Sequence, residues 1–243
     1  MNAKQRRVLV TGASGGIGAA ICRRLARSGH RLYLHAFQGG EQVHALAQEL
    51  NAAQAQAEVV LFDVTDQQAT EAALGRMLDA GAIQILINNA GVHDDAPMPG
   101  MSAAQWRRVI DVTVQGFFNV TQPLLMPMIR TRWGRIVNIS SVSALLGNRG
   151  QVNYAAAKGA LNSATRALAL EVARRGITVN AVAPGIIDTA MSAAHFDAAM
   201  TARLVPMQRA GTPQEVADLV DFLASEAAGY ITGQVVSING GMI

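Results

Sequence analysis

Arg7-Val8-Leu9-Val10-Thr11-Gly12-Ala13-Ser14-Gly15-Gly16-Ile17-Gly18 is the stretch whose reading decides the fold. Its first four residues are a short, mostly apolar run, the pattern of a buried parallel strand. The glycines that follow let the backbone come close to a ligand. An amphipathic pattern then runs to about Ser28 and reads as a helix. Strand, glycine-rich turn and helix N-terminus together form an anion cradle, because free N–H groups and the helix dipole favour phosphate. In this setting a dinucleotide or phosphate site is a better reading than a simple turn.

The same alternation continues along the chain. Strands are expected at 31–35, 58–62, 84–87, 136–139, 177–182 and 234–238, with helices between them. Ser102 caps a long helical segment expected to break or bend near Pro123 and Pro127. A second long helix is expected over 150–175, and Thr212-Pro213-Gln214-Glu215 is a good helix start. No linker or composition shift interrupts the pattern. The expected fold is therefore α/β: one doubly wound, Rossmann-type parallel sheet of about seven strands with helices on both faces, spanning 1–243. Residues 186–208, with Met191, Phe196, Met200 and Met207, follow a sheet edge and read as a mobile substrate lid, or as a packed helical pair.

Composition narrows the class. Half of the 243 residues are hydrophobic and 15% are charged, enough for one large core. A net charge of +3 with scattered basic residues disfavours a nucleic-acid partner. No apolar stretch reaches membrane-spanning length, and a first strand beginning by Arg7 leaves no room for a signal peptide. The single cysteine, Cys22, cannot form an internal disulfide, so a reducing, cytoplasmic setting is expected. No metal is expected.

The chemistry resides in Ser140-Ser141 and in Tyr154-Ala155-Ala156-Ala157-Lys158. Lysine occurs only at Lys4 and Lys158 in an arginine-rich chain. Tyr154 and Lys158 stand four apart, on one face of a helix. A nearby ammonium is expected to draw the phenol's pKa down and make it a general acid for a carbonyl becoming an alcohol. Ser141, at the end of a strand, could hydrogen-bond the same oxygen. A helix-face tyrosine above an exposed lysine is common, so this pair needs a hydride donor beside it. Elsewhere, Asp63 at a strand end reads either as an adenine contact or as a tie for its own turn. Asn88-Asn89-Ala90-Gly91 reads as support for the sheet centre with room for a cofactor, or as a plain turn. After the second strand, Ala36, Phe37 and Gln38 include no acid, which leans towards NADP over NAD. No basic residue stands there to fix the choice.

These motifs, in order, resemble the short-chain dehydrogenase/reductase family: TGASGGIG at 11–18, DVTD at 63–66, NNAG at 88–91, ISS at 139–141, YAAAK at 154–158 and PG at 184–185. GNRGQVNYAAAKGAL and ITGQVVSINGGMI are similar to bacterial 3-oxoacyl-(acyl-carrier-protein) reductases of fatty-acid synthesis, and 125–154 to variants in polyene-type lipid pathways. The resemblance implies NADPH-dependent reduction of a 3-oxoacyl thioester, with NADH not excluded. Tyr154 is then the proton donor, Lys158 the ribose anchor and Ser141 the carbonyl partner. Gly12, Ser14, Gly15, Gly16, Ile17 and Gly18 surround the pyrophosphate. Phe37, Asp63 and Val64 lie towards the adenosine, and Asn89, Ala90 and Gly91 towards the ribose. Pro184, Gly185, Ile187 and Thr189 lie towards the nicotinamide. Arg132 and Arg175 match arginines that dock acyl carrier protein, although the helix dipole alone favours arginine at helix ends. Family members are usually tetramers.

Two departures stand out. Thr113 occupies the place of a family asparagine in the proton relay, which would weaken the relay or shift it to Gln115 or Asn119. Gly15 stands where NADP-type reductases often carry a basic residue. The alternatives are a dehydrogenase for another alcohol or ketone, a weakly active partner subunit of a reductase complex, and a nucleotide-sensing regulator.

Overall fold

Strand β1 (Arg7–Val10) pairs in parallel with β2 (Arg31–Ala36) on one side and β4 (Ile85–Asn88) on the other. This arrangement comes from a computed structural model that describes residues 5–190 and 197–243. The sheet is completed by β3 (Gln56–Leu61), β5 (Gly134–Ile139), β6 (Ile177–Pro184) and β7 (Val235–Ile238). The order is β3-β2-β1-β4-β5-β6-β7, and every pairing is parallel. The direction of winding reverses between β1 and β4. A crevice opens there at the strands' C-terminal ends, where open α/β sheets bind ligands.

Both faces are covered. On one, α1 (Gly16–Arg27), α2 (Gly40–Ala52) and α9 (Pro213–Ala224) pack Ile21, Leu25, Val43, Leu46, Val216 and Val220 against the sheet. On the other, α3 (Gln67–Asp79), α5 (Gly116–Thr131) and α7 (Val152–Val172) contribute Leu74, Met77, Val120, Leu124 and Val172. β5 and β6 are buried at every position, as a two-sided sheet requires. Each fully buried Leu, Ile or Val here is worth roughly 1.5–3 kcal/mol. Cys22 belongs to this core, and burial pushes its thiol pKa up, so it is a small apolar residue.

The long segment after Ser102 departs from expectation. Ser102 and Gln105 form a reciprocal capping box at the start of α4 (Ala103–Ile110). The interruption comes at a π-helical turn, Asp111–Gln115, and α5 then runs straight through Pro123 and Pro127. Packing of Val120, Leu124 and Met128 compensates for the lost N–H groups, and the Thr131 hydroxyl donates to the Met128 carbonyl at 3.0 Å. The π turn places Thr113 inward. The remaining helices are short: α6 (Ser143–Leu146) and α8 (Ala198–Leu204). Of the expected lid, Ile187 bridges to Gly211, Val205 is buried and Met207 N–H donates to the Gly240 carbonyl. Met191 and Phe196 lie outside the described residues.

Candidate active site

The floor of the crevice is a clasp between the turn after β1 and the turn after β4. The Asn89 side-chain amide donates to the Thr11 and Gly12 carbonyls, both at 2.9 Å. The N–H groups of Asn89 and Ala90 donate to the Thr11 hydroxyl at 3.0 and 2.9 Å. Of the two readings for this stretch, support of the sheet centre is what the Asn89 side chain does. Behind it, Asn88 donates to Asn138 at 2.9 Å and Asn138 to Thr165 at 2.8 Å, so a buried polar ladder joins β4, β5 and α7 with its donors satisfied.

The glycines are required by space. Gly12 has φ of +66°, which L side chains avoid. A methyl at Gly18 would lie 2.2 Å from the Gly12 carbonyl oxygen. Helix α1 starts at the N-cap Gly15 with no side-chain cap and no acid in its first turn. Its N-terminus can therefore meet an anion. Thr189 comes down over this turn: a methyl at Gly16 would lie 3.1 Å from its Cγ2. Residues 12–18, 89–91 and 189 thus line one crevice with a cradle that side chains would fill, and it fits a dinucleotide.

At the adenosine side, Phe37 is 59% exposed just past β2. One Asp63 carboxylate oxygen accepts from the Thr65 N–H at 2.9 Å and hydroxyl at 2.8 Å, so Asp63 ties its own turn. Val64 is buried, and its carbonyl accepts from Asn119 at 2.8 Å. Gln115 donates to Asn119 at 2.8 Å. Asn119 thus ties α5 to the loop after β3, and Gln115 is joined to it. The Thr113 hydroxyl is buried with no hydrogen-bond partner, facing a small cavity shared with Thr11, Asn88 and Ala90. The structure does not join it to Tyr154 or Lys158.

The reacting end is built by β5, β6 and α7. Pairing continues past β5, with Ser140 N–H donating to Val182 at 2.7 Å and Val142 N–H to Pro184 at 2.8 Å. This holds Ser141 at the mouth of the crevice, where its hydroxyl accepts the Ser143 N–H at 3.1 Å and is near enough to the Tyr154 phenol to lower its pKa. Gly185 N–H donates to the Ile238 carbonyl at 2.9 Å, and Ile187 is buried beyond it. Lys158 is buried one helical turn below Tyr154. Its Nζ donates to the Ile139 carbonyl at 2.8 Å and lies 5.6 Å from the Tyr154 ring centroid. A methyl at Gly91 would sit 3.1 Å from that Nζ, so the ammonium borders the crevice.

The electrostatics correct one expectation. Burial pushes the Tyr154 pKa up; the Ser141 hydroxyl opposes this and the Asp95 carboxylate adds to it. Within this chain desolvation of the phenol is the largest influence, so its pKa is raised, whereas the spacing of Tyr154 and Lys158 predicts one drawn down. Burial also lowers Lys158 from 10.5 to about 8.

Several contributors escaped the sequence reading. Buried Asn153 donates to the Asp94 carbonyl at 2.9 Å, pinning the loop after β4 against the start of α7. Gln151 donates to Asp95 at 2.7 Å and accepts from the Ser143 hydroxyl at 3.0 Å, closing the mouth beside Tyr154. An amide directly before Tyr154 was the available signal for Asn153; for Gln151 and Asp95 there was none.

Arg132 and Arg175 are exposed and sit on the segments leading into β5 and β6. Arg132 Nη2 donates to the Arg174 carbonyl at 3.5 Å. They are at the N-terminal end of the sheet, while Ser141 and Tyr154 are at the C-terminal end. Six residues of β5 put about 20 Å between the two ends. The structure does not bring these arginines to the site of their own chain.

Residues 6–199 match the family model described as short chain dehydrogenase. The chain is 43% identical over 237 residues to the 3-oxoacyl-(acyl-carrier-protein) reductase FabG of Aggregatibacter actinomycetemcomitans, covering 97% of this chain and 98% of that one. It is also 43% identical to an acetoacetyl-CoA reductase of Rhizobium meliloti (strain 1021), over 97% and 98% of the two chains. Among solved structures, that of a "putative gluconate dehydrogenase" from Agrobacterium tumefaciens superposes with a TM-score of 0.94 at 36% identity, over 98% of this chain and 95% of that one. With the seven-stranded parallel sheet, the dinucleotide crevice and the Ser141–Tyr154–Lys158 arrangement, these likenesses establish that the chain belongs to the short-chain dehydrogenase family of NAD(P)-dependent oxidoreductases.

Proposed function

We propose that this enzyme reduces a 3-oxoacyl thioester to the 3-hydroxyacyl thioester with NADPH, on acyl carrier protein, in fatty-acid or polyene-type lipid biosynthesis. The observation that carries the reading is Tyr154 above buried Lys158, whose Nζ lies 5.6 Å from the phenol ring centroid, with Ser141 at the end of the neighbouring strand beside a dinucleotide cradle. The names of the relatives support the thioester. When bound, the cofactor supplies a hydride. Ser141 and Tyr154 present two hydroxyls to the substrate carbonyl oxygen and stabilise the charge that develops on it. Tyr154 gives up its phenolic proton as that oxygen becomes an alcohol. Lys158 supplies positive charge from below, and Asn153 and Gln151 keep the mouth in shape.

NADPH is preferred here because Ala36, Phe37 and Gln38 offer no carboxylate to repel a 2′-phosphate. A carrier protein is the proposed donor of the acyl chain, in the cytoplasm. A homotetramer, or an assembly with a second reductase, is the proposed state. The segment 186–208 is proposed to close over the substrate.

Initial rates on a short 3-oxoacyl thioester, with NADPH and with NADH, test the proposal. NADPH is expected to give the higher kcat/KM. Absence of turnover on thioesters, with turnover of a sugar acid or cyclic ketone, would favour the second reading raised by the structural likeness to a gluconate dehydrogenase.

A further inference from the structure

His35 has no place in the chemistry above, yet it is 2% exposed on a strand whose neighbours are apolar. Burying an imidazole is unfavourable unless its nitrogens are hydrogen-bonded. Here both are engaged. Nε2 lies 2.9 Å from the Phe62 carbonyl oxygen, which can only accept, so Nε2 carries the proton. Nδ1 is then an acceptor, and it receives the Gly12 N–H at 3.3 Å. The His35 carbonyl accepts the Ala13 N–H at 2.8 Å. The ring rests on Phe62 with centroids 4.0 Å apart. Burial depresses the imidazole pKa to about 4, which keeps it in this neutral form.

The two partners of the ring belong to different parts of the crevice. Gly12 opens the turn at the helix N-terminus, where its φ of +66° is held from the β4 side by Asn89. Phe62 immediately precedes Asp63 and Val64, on the adenosine side. We propose that His35 is a positioning residue for the dinucleotide: its two ring nitrogens span β2 and fix the glycine turn and the loop after β3 relative to one another. The inference rests on the family reading that this crevice takes NAD(P). A buried side chain that only filled space would work as well with any ring of that size.

The test compares full-length wild type, His35→Phe and His35→Asn by calorimetric titration with NADPH, by thermal unfolding and by steady-state kinetics. Phe keeps the ring and loses both nitrogens. Asn loses the ring and keeps an acceptor close to the Nδ1 position. His35→Phe is expected to weaken NADPH binding about tenfold, the scale of one hydrogen bond, and to raise KM for NADPH with kcat little changed. His35→Asn breaks the bridge at its Phe62 end only and is expected to show a smaller loss of affinity, again with kcat little changed. Wild-type affinity in His35→Phe or in His35→Asn, or a fall in kcat as large as the loss of affinity, would overturn the inference. Should His35→Phe not fold, His35→Gln, which retains a donor towards Phe62 but no acceptor near Gly12, is expected to show the same tenfold loss, and wild-type affinity there would overturn it equally. If the wild type itself binds neither NADPH nor NADH, the reading of the crevice as a dinucleotide site fails instead; if it binds NADH alone, the same comparison is made with NADH.

Discussion

Lys158 Nζ donates to the carbonyl oxygen of Ile139 at 2.8 Å, so the last residue of β5 fixes the ammonium beneath the reacting phenol. The lysine is buried, and that contact orients it without neutralising it. With the environment of Tyr154 raising its pKa, the phenol keeps its proton at neutral pH, the form that the proposed role as acid requires.

Replacing Tyr154 by Phe removes the whole hydroxyl, and with it both the proton and the hydrogen bond to the substrate oxygen. The expected loss in kcat is about 10²–10⁴-fold, with NADPH affinity close to wild type. Single-turnover rates together with a cofactor titration check both halves; a variant retaining more than a tenth of the rate would exclude Tyr154 as the acid.

The pH dependence follows from Lys158. Its pKa is 10.5 when free and about 8 here, because burial disfavours the charged form. Between those values the unfolded chain binds more protons than the folded one, so stability rises with pH across the window from about 8 to 10.5. The ammonium itself is lost as pH climbs through about 8, so kcat/KM should fall above that point. In Lys158→Arg the fall should disappear, since guanidinium stays charged. A wild-type profile that is flat over the window would contradict this.

Gly18→Ala should be severe for a mechanical reason. Its methyl would meet the Gly12 carbonyl at 2.2 Å, backbone against side chain with nothing flexible to yield. An overpacking cost of about 1–3 kcal/mol is expected in denaturant unfolding, together with loss of dinucleotide binding. Gly75→Ala, where a methyl meets nothing within 4 Å, is the matched control and should bind normally.

Phe37 offers a test of cofactor choice. Placing Asp there should weaken NADPH at least tenfold relative to NADH, and Arg should favour NADPH. The ratio of the two dissociation constants is the measurement, and an unchanged ratio in both variants would move the 2′-phosphate elsewhere.

Thr113→Val should leave the melting temperature unchanged or higher, since it removes a buried hydroxyl that has no partner. With no hydrogen bond linking Thr113 to Tyr154 or Lys158, kcat should stay within about tenfold of wild type; a larger drop would reinstate it in the relay.

Residues whose conformations are set locally were legible in the sequence. Gly12 and Gly18 announce a turn that no other residue fits, and Tyr154 and Lys158 share a helical face by spacing alone. What depended on distant partners was not legible. His35 reads as an ordinary strand residue until Gly12 and Phe62 arrive on either side of it. The prolines at 123 and 127 suggested a break, yet packing on the sheet carries α5 through them, and the π turn at Thr113 has no comparable signature. Arg132 and Arg175 fit a motif, but the sequence does not say which end of a strand faces the substrate.

Thr11 and Asn89 rivet the two central strands at their downstream ends. Prying β1 from β4 there would break four hydrogen bonds together. The base of the crevice is therefore latched at one point by two residues, and any motion that widened it from beneath would have to release all four contacts at once.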